Sequence, residues 1–131
     1  MLIEFKVKTS KRNELVNITS RIEKIVSDSK VKNGFCIVYC PHTTAGIIVN
    51  ENSDPDVVSD LINAFDKLVP SIKFKHAEGN SDAHLKSTLV GCEKHFIIEN
   101  GALVLGTWQG LFFAEFDGPR ERKVLVKVIQ E

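Results

Sequence analysis

Residues 2 to 8 alternate, with Ile3, Phe5 and Val7 set against Leu2, Glu4, Lys6 and Lys8. A period of two marks a strand buried on one face. After a polar turn at 10–13 and a short extended piece, Ile18, Ile22, Ile25 and Val26 fall at helical spacing. That spacing predicts a helix from about Ile18 to Ser29, and Ser20 with Glu23 has capping-box spacing. Asn33–Gly34 ends the unit, and "FCIVYC" predicts a strand buried on both faces. Pro41 lacks a backbone donor and stops that ladder before His42. "TAGIIVNE" predicts the next strand, pairing back on the first.

The following helix has a clear start. Asp54 is placed to cap, Pro55 takes the first helical position, and Asp56 suits the positive end of the helix. Val57, Val58, Leu61, Ile62, Phe65, Leu68 and Val69 fall on one apolar face, with Asp56, Asp60, Asn63 and Lys67 away from it. Residues 70–81 look irregular, and "DAHLKSTLVG" supports a short helix ending at Gly91. Four strands are then predicted in "KHFIIE", "ALVLG", "TWQGLFFAEF" and "KVLVKVIQ", with Asn100–Gly101 and Asp117–Gly118 suited to tight hairpins. This order argues for an α+β fold, a two-layer β-sandwich of mainly antiparallel strands with two main helices, rather than βαβ units. Two helices are too few to cover several long apolar strands, so a second sheet or another subunit must do so.

Composition adds limits. The chain has 131 residues, which fits a single domain spanning 1–131. Its 17 basic and 17 acidic side chains cancel, so neither a nucleic-acid footprint nor attraction to an anionic membrane is expected. A local phosphate site needs only two or three cations and stays open. The N-terminus has no signal-peptide pattern and no run approaches a membrane span, so a cytoplasmic location is expected. Of Cys36, Cys40 and Cys92, the first two lie on an apolar strand, where free cysteine acts as a small hydrophobe.

Three polar clusters carry the candidate chemistry. "PHTTAGIIVNENSDPD", residues 41–56, holds more hydrogen-bonding groups than a connection requires. Capping and turn rules account for Asp54, Asn50 and Asn52 but not Glu51, and His42 could be a metal ligand or a general base. "HAEGNSDAHLKST", residues 76–88, offers His76, Glu78, Asp82 and His84 as metal ligands, and Lys86 adds an ammonium. The spacing matches no specific zinc motif; a mixed set of this kind suits zinc or manganese, carboxylates alone magnesium. In "LGTWQGLFFAEFDGPRER", the sole Trp108 lies between Gly106 and Gly110, where backbone can approach a ligand or strand closely. Glu115 falls inside an apolar run and needs a cation, a metal or a ligand. Arg120 and Arg122 can pair with it or fork onto a phosphate.

Together "HTTAGIIVNENSDPDV", "HAEGNSDAHLKSTLVG" and "LGTWQGLFFAEFDGPRER" resemble the YjbQ family of secondary thiamine-phosphate synthases, in the family's order and over about residues 2–130. The resemblance implies an α+β fold with a β-sandwich, a homotrimer about a threefold axis, and a weak synthase joining a hydroxymethylpyrimidine diphosphate to a thiazole phosphate. It also implies a small phosphorylated metabolite as partner. The catalytic candidates are His42, Glu51, Asp82, His84 and Lys86. Thr43, Asn50, Thr107, Trp108, Gln109, Glu115, Arg120 and Arg122 are the substrate-binding candidates. His42, His76 and His84 are the candidate ligands of a divalent metal, magnesium or zinc. Two other readings of the same residues are a metal-assisted hydrolase or phosphate-transfer enzyme, and a non-catalytic trimeric binder.

Overall fold

The computed structural model describes residues 1–70 and 72–131. Its elements are β1 (Leu2–Lys8), β2 (Glu14–Asn17), α1 (Thr19–Ser29), β3 (Gly34–Tyr39), β4 (Ala45–Glu51) and α2 (Pro55–Leu68). There follow α3 (Ser81–Val90), β5 (Glu93–Glu99), β6 (Ala102–Leu103), β7 (Gln109–Glu115) and β8 (Glu121–Gln130). One sheet runs β1-β8-β3-β5-β6 and the other β2-β7-β4, with antiparallel pairing throughout. The irregular reading of 70–81 holds up to α3, except at residue 71, which lies outside the described residues.

The sheets face each other across the main core. From the five-stranded sheet come Val7, Cys36, Val38, Phe96, Ile98, Val124 and Val126; from the other, Ala45, Ile47, Leu111 and Phe113. Helix α1 adds Ile18, Ile22 and Val26 to this core. Its start differs from the capping-box expectation: Asn17 Oδ1 accepts the Thr19 N–H at 3.0 Å and the Thr19 hydroxyl at 2.6 Å. Helix α2 starts as the sequence indicates, with Asp54 Oδ1 accepting from the Asp56 N–H at 2.9 Å. On the far face of the smaller sheet Ile48, Phe112, Ala114 and Phe116 meet Val58, Leu61, Ile62 and Phe65 of α2 and Ala83 of α3. The layers are therefore α2 with α3, three strands, five strands, with α1 closing the core between the sheets.

Three strand expectations change. Strand β4 does not pair back on an earlier strand but crosses to the other sheet and pairs with β7, because residues 40–44 turn the corner after Pro41. Burial on both faces belongs to β7, where Gly110 to Glu115 are all buried, rather than to β3. In β3, Cys36 and Val38 face the core while Phe35 and Tyr39 remain 41 % and 40 % exposed. Asn100–Gly101 does make a tight hairpin, with Glu99 opposite Ala102 and both turn residues at positive φ. Asp117–Gly118 does not, since β7 and β8 belong to different sheets and the segment bridges them.

Helix α3 is drawn close onto β4. Ser87 Oγ donates to the Ala45 carbonyl at 2.7 Å. A Cβ at Gly46 would lie 2.5 Å from Val90 and 2.6 Å from the Gly91 oxygen, so only glycine admits this approach. This packing sets His84 of α3 beside the corner that carries His42.

Candidate functional site

Pro41 ends β3, the corner brings His42, Thr43 and Thr44 to one end of the sandwich, and β8 begins at the same end. The loop before α3 arrives there as well. The result is a cleft of about 490 Å³ whose walls include His42, His76, His84, Asn80, Arg120 and Arg122. A second hollow of about 580 Å³ adjoins it, and Pro41, His42, Thr43 and His84 line both.

Beneath the cleft lies a buried ion pair spanning the two sheets. Arg122 is 3 % exposed and Glu115 fully buried. Arg122 Nε donates to Glu115 Oε1 at 2.8 Å, and its Nη2 donates to Glu115 Oε2 and, at 2.8 Å, to Thr44 Oγ1. Thr9 Oγ1 donates to Glu115 Oε1 at 2.8 Å and the Asp117 N–H to Oε2 at 3.0 Å. Burial alone would raise the Glu115 carboxyl, but Arg122, the Asp117 N–H and the Thr9 hydroxyl outweigh it and hold the group below its usual range. The cation that Glu115 required is therefore Arg122. Arg120 is paired separately, Nε with the Asp117 carbonyl at 2.9 Å and Nη2 with Asp117 Oδ2 at 3.0 Å. Both guanidinium groups are fixed by carboxylates, both line the cleft, and neither Nη1 has a partner among the described residues.

His42 is held from two sides. The Lys123 N–H donates to its Nε2 at 2.9 Å, and its ring meets Phe113 edge-on at 6.4 Å. Burial first, then the Arg122 charge, keeps its pKa below the ordinary value. With Nε2 accepting, the neutral ring carries its proton on Nδ1. His76 and His84 lie edge to face with centroids 5.4 Å apart, and His76 Nε2 is 3.8 Å from Glu78 Oε2. His42, His76 and His84 thus share a cleft, but no three His, Cys, Asp or Glu side chains converge on one point among the described residues. One of the ring nitrogens is already spent on Lys123. Among the described residues, the side chains as they stand do not fit a preorganised zinc or magnesium centre.

The other candidates lie elsewhere. Asp82 turns away to Arg12, whose Nη2 donates to its two oxygens at 2.9 and 3.1 Å, and both line a neighbouring hollow. Lys86 is 1 % exposed and points beneath α3, where its ammonium donates to Asp66 and, at 3.1 Å, to Asn13 Oδ1. It braces α3 against α2 and the loop before β2, out of reach of the cleft. Asn50, Glu51, Thr107, Trp108 and Gln109 lie at the opposite end of the β4–β7 pair, where Glu51 faces Gln109 while Ala45 faces Glu115. Six strand steps separate these ends, or about 20 Å.

The sequence reading passed over Thr9, Thr44, Asn80 and Asp117. Asn80 had a signal, since it immediately precedes the short helix. Its Nδ2 donates to Asp117 at 3.0 Å, and its Oδ1 is buried with no partner among the described residues. Thr9 had none, being 106 residues from the carboxylate it serves.

A family model described as "UPF0047 protein YjbQ-like" matches residues 3–131. The chain belongs to the YjbQ family. Among YjbQ-family relatives, UPF0047 protein MJ1081 of Methanocaldococcus jannaschii is 57 % identical, covering 98 % of this chain and 94 % of its own length. UPF0047 protein YugU of Bacillus subtilis is 47 % identical, covering 98 % and 99 %. A solved YjbQ/UPF0047 structure from Clostridium acetobutylicum superposes with a TM-score of 0.94 at 53 % identity, over 97 % of this chain and 99 % of that one. A structure from Sulfolobus solfataricus described as "YbjQ-like" gives 0.95 at 38 % identity, over 100 % and 97 %. The α+β sandwich is thus the YjbQ fold. Among the described residues no helix is long and apolar enough to cross a membrane.

Proposed function

We propose that the cleft binds a small phosphorylated metabolite and promotes the loss of diphosphate from it, as a weak thiamine-phosphate synthase. One observation carries this reading: Arg120 and Arg122, each anchored by its own carboxylate, line one cleft with an open Nη1 apiece. Anchored guanidinium groups lose little freedom on binding an anion, and they match phosphate oxygens geometrically. In the proposed reaction the thiazole nitrogen attacks the methylene carbon of the pyrimidine diphosphate. The C–N bond forms while the C–O bond breaks, and its electron pair leaves on pyrophosphate. The thiazole nitrogen carries no proton, so no general base is needed. What the reaction needs is positive charge on the departing group and alignment of the partners. Arg120 and Arg122 supply the first, and the neutral His42 ring offers its Nδ1–H as a further hydrogen-bond donor.

The active unit in this proposal is a homotrimer. Phe35 on the outer face of β3 stands opposite Ile97 of β5 and Ile129 of β8, an apolar patch that the described residues of one chain leave exposed. Light scattering on the eluting protein checks this, with a mass three times that of one chain expected.

The decisive assay supplies purified protein with both substrates and follows thiamine phosphate and pyrophosphate. Slow formation of both is expected, and Arg120→Ala should lower it about 10- to 100-fold, the loss of one charge-assisted phosphate contact. No product above the protein-free blank would end the synthase reading. Pyrophosphate binding without turnover would leave a binder of phosphorylated metabolites.

A further inference from the structure

The hollow next to the arginine-lined cleft differs from it in one chemical respect. Its own wall, beyond the residues shared with the cleft, includes Tyr39, Thr88, Gly91 and Cys92, and among the described residues no Asp, Glu, Lys or Arg lines it. The cleft, by contrast, has Arg120, Arg122, Glu78 and Asp117 on its walls. His42 and His84 stand between the two and line both. Thr88 Oγ1 donates to the His84 carbonyl at 2.8 Å, so toward the hollow it presents a hydroxyl oxygen rather than a free donor. Tyr39, 40 % exposed, offers an aromatic surface at the rim. At about 580 Å³ the hollow lies in the size range of small-molecule sites.

We infer that the site is two-lobed: the arginine-lined cleft takes the phosphates of a phosphorylated ring compound, and the uncharged hollow takes the ring. This rests on the reading that the cleft binds phosphate. Ions stay where they are paired and solvated, whereas an uncharged ring gains by leaving water for a surface without charges. The bond joining ring-bearing carbon to phosphate would then lie between His42 and His84. The specificity of the protein for the organic half of its ligand resides in the hollow, not in the arginines.

Cys92 reports on this directly. It is exposed and lines the hollow, while Cys36 and Cys40 are buried, with burial pushing both thiols up to about 11. N-ethylmaleimide should therefore modify Cys92 first, and its rate is read by mass spectrometry on the intact protein. Saturating phenyl phosphate should slow that rate at least fivefold, while saturating inorganic pyrophosphate leaves it within twofold. Filling the hollow by Thr88→Phe, at an exposed position, should weaken phenyl phosphate at least tenfold and pyrophosphate less than twofold by calorimetry. If phenyl phosphate displaces pyrophosphate yet Cys92 reacts at the free rate, the second lobe is wrong and the phosphate reading stands. Equal protection by the two ligands would likewise overturn the lobe. Failure of pyrophosphate to bind at all would instead remove the phosphate reading, and the lobe with it.

Discussion

The two ends of the β4–β7 strand pair carry similar polar inventories and do different things with them. At the cleft end the hydrogen bonds join distant segments: Thr9 to Glu115 across 106 residues, His42 to Lys123 across 81, Thr44 to Arg122 across 78. At the far end Asn50 Oδ1 accepts from its neighbour's N–H, Asp54 from Asp56, and Gln109 Oε1 from the Gly106 N–H three residues back. One end is a buried junction of several chain segments; the other is a set of local turns that happen to be polar. Polar crowding along a sequence does not make a site. Convergence of groups that cannot be satisfied locally does.

The comparison breaks most visibly at Glu115. Glu115→Gln leaves Arg122 buried without a counter-charge, and removing one partner of a buried pair costs about 3–5 kcal/mol. For a chain of this length that lowers Tm by roughly 10–20 °C. Asn50→Ala at the far end should stay within about 0.5 kcal/mol, since an exposed side chain satisfies only its neighbour there. Paired thermal melts of the two variants check this, and equal shifts would erase the distinction between the ends.

Next in size is Lys86. Its burial and its bonds to Asp66 and Asn13 predict that Lys86→Ala costs about 1–3 kcal/mol, the range for hydrogen bonds to a charged group. Asp66 stays solvated after the change, which keeps the loss below that of Glu115. Any loss of product formation should follow the loss of folded protein. An unchanged melt with abolished turnover would return Lys86 to the cleft.

Much of the architecture was legible because local rules carry it. The alternation of β1, the Asp54–Pro55–Asp56 start of α2, the apolar face of that helix and the Asn100–Gly101 hairpin all follow from spacing and turn chemistry. Strand partners were less legible: nothing in "TAGIIVNE" says that its ladder lies ahead in β7, from Glu51 opposite Gln109 to Ala45 opposite Glu115, rather than behind. The site divides the same way. Glu115 stood out as a carboxylate within an apolar run, and Arg122 lay close enough in sequence to be proposed for it. Asp82 and Lys86 look as chemically apt as His84, yet successive residues of a helix point in different directions and only His84 faces the cleft. Which direction faces the cleft depends on how α3 seats on β4, a tertiary fact set by Gly46 and Ser87.

Acidification sharpens the picture further, with a smaller effect. His42 is held below its ordinary pKa, so the fold prefers the neutral ring; that contribution is complete above about pH 6.5 and is lost as pH falls through the lowered value. The Glu115 contribution persists above the usual carboxylate range and fades only below it. Denaturant stability measured from pH 7 to 3 should therefore fall in two steps. His42→Gln, which can still accept from the Lys123 N–H, should remove the first step and keep the second.

The smallest expected effect is at Trp108. It is 60 % exposed, and at this end the Asn52 N–H bonds to its carbonyl, a contact that any residue supplies. Trp108→Ala should move the stability of the chain by no more than about 0.5 kcal/mol. The Trp108 corner is also about 20 Å from the cleft of its own chain, so pyrophosphate affinity should change less than twofold. The side chain is nevertheless large, apolar and exposed. A tenfold loss of affinity in this variant, with an unchanged melt, could not come from within one chain. It would mean that a neighbouring copy brings its Trp108 corner to the cleft, and the two ends contrasted here would be halves of one site built between subunits.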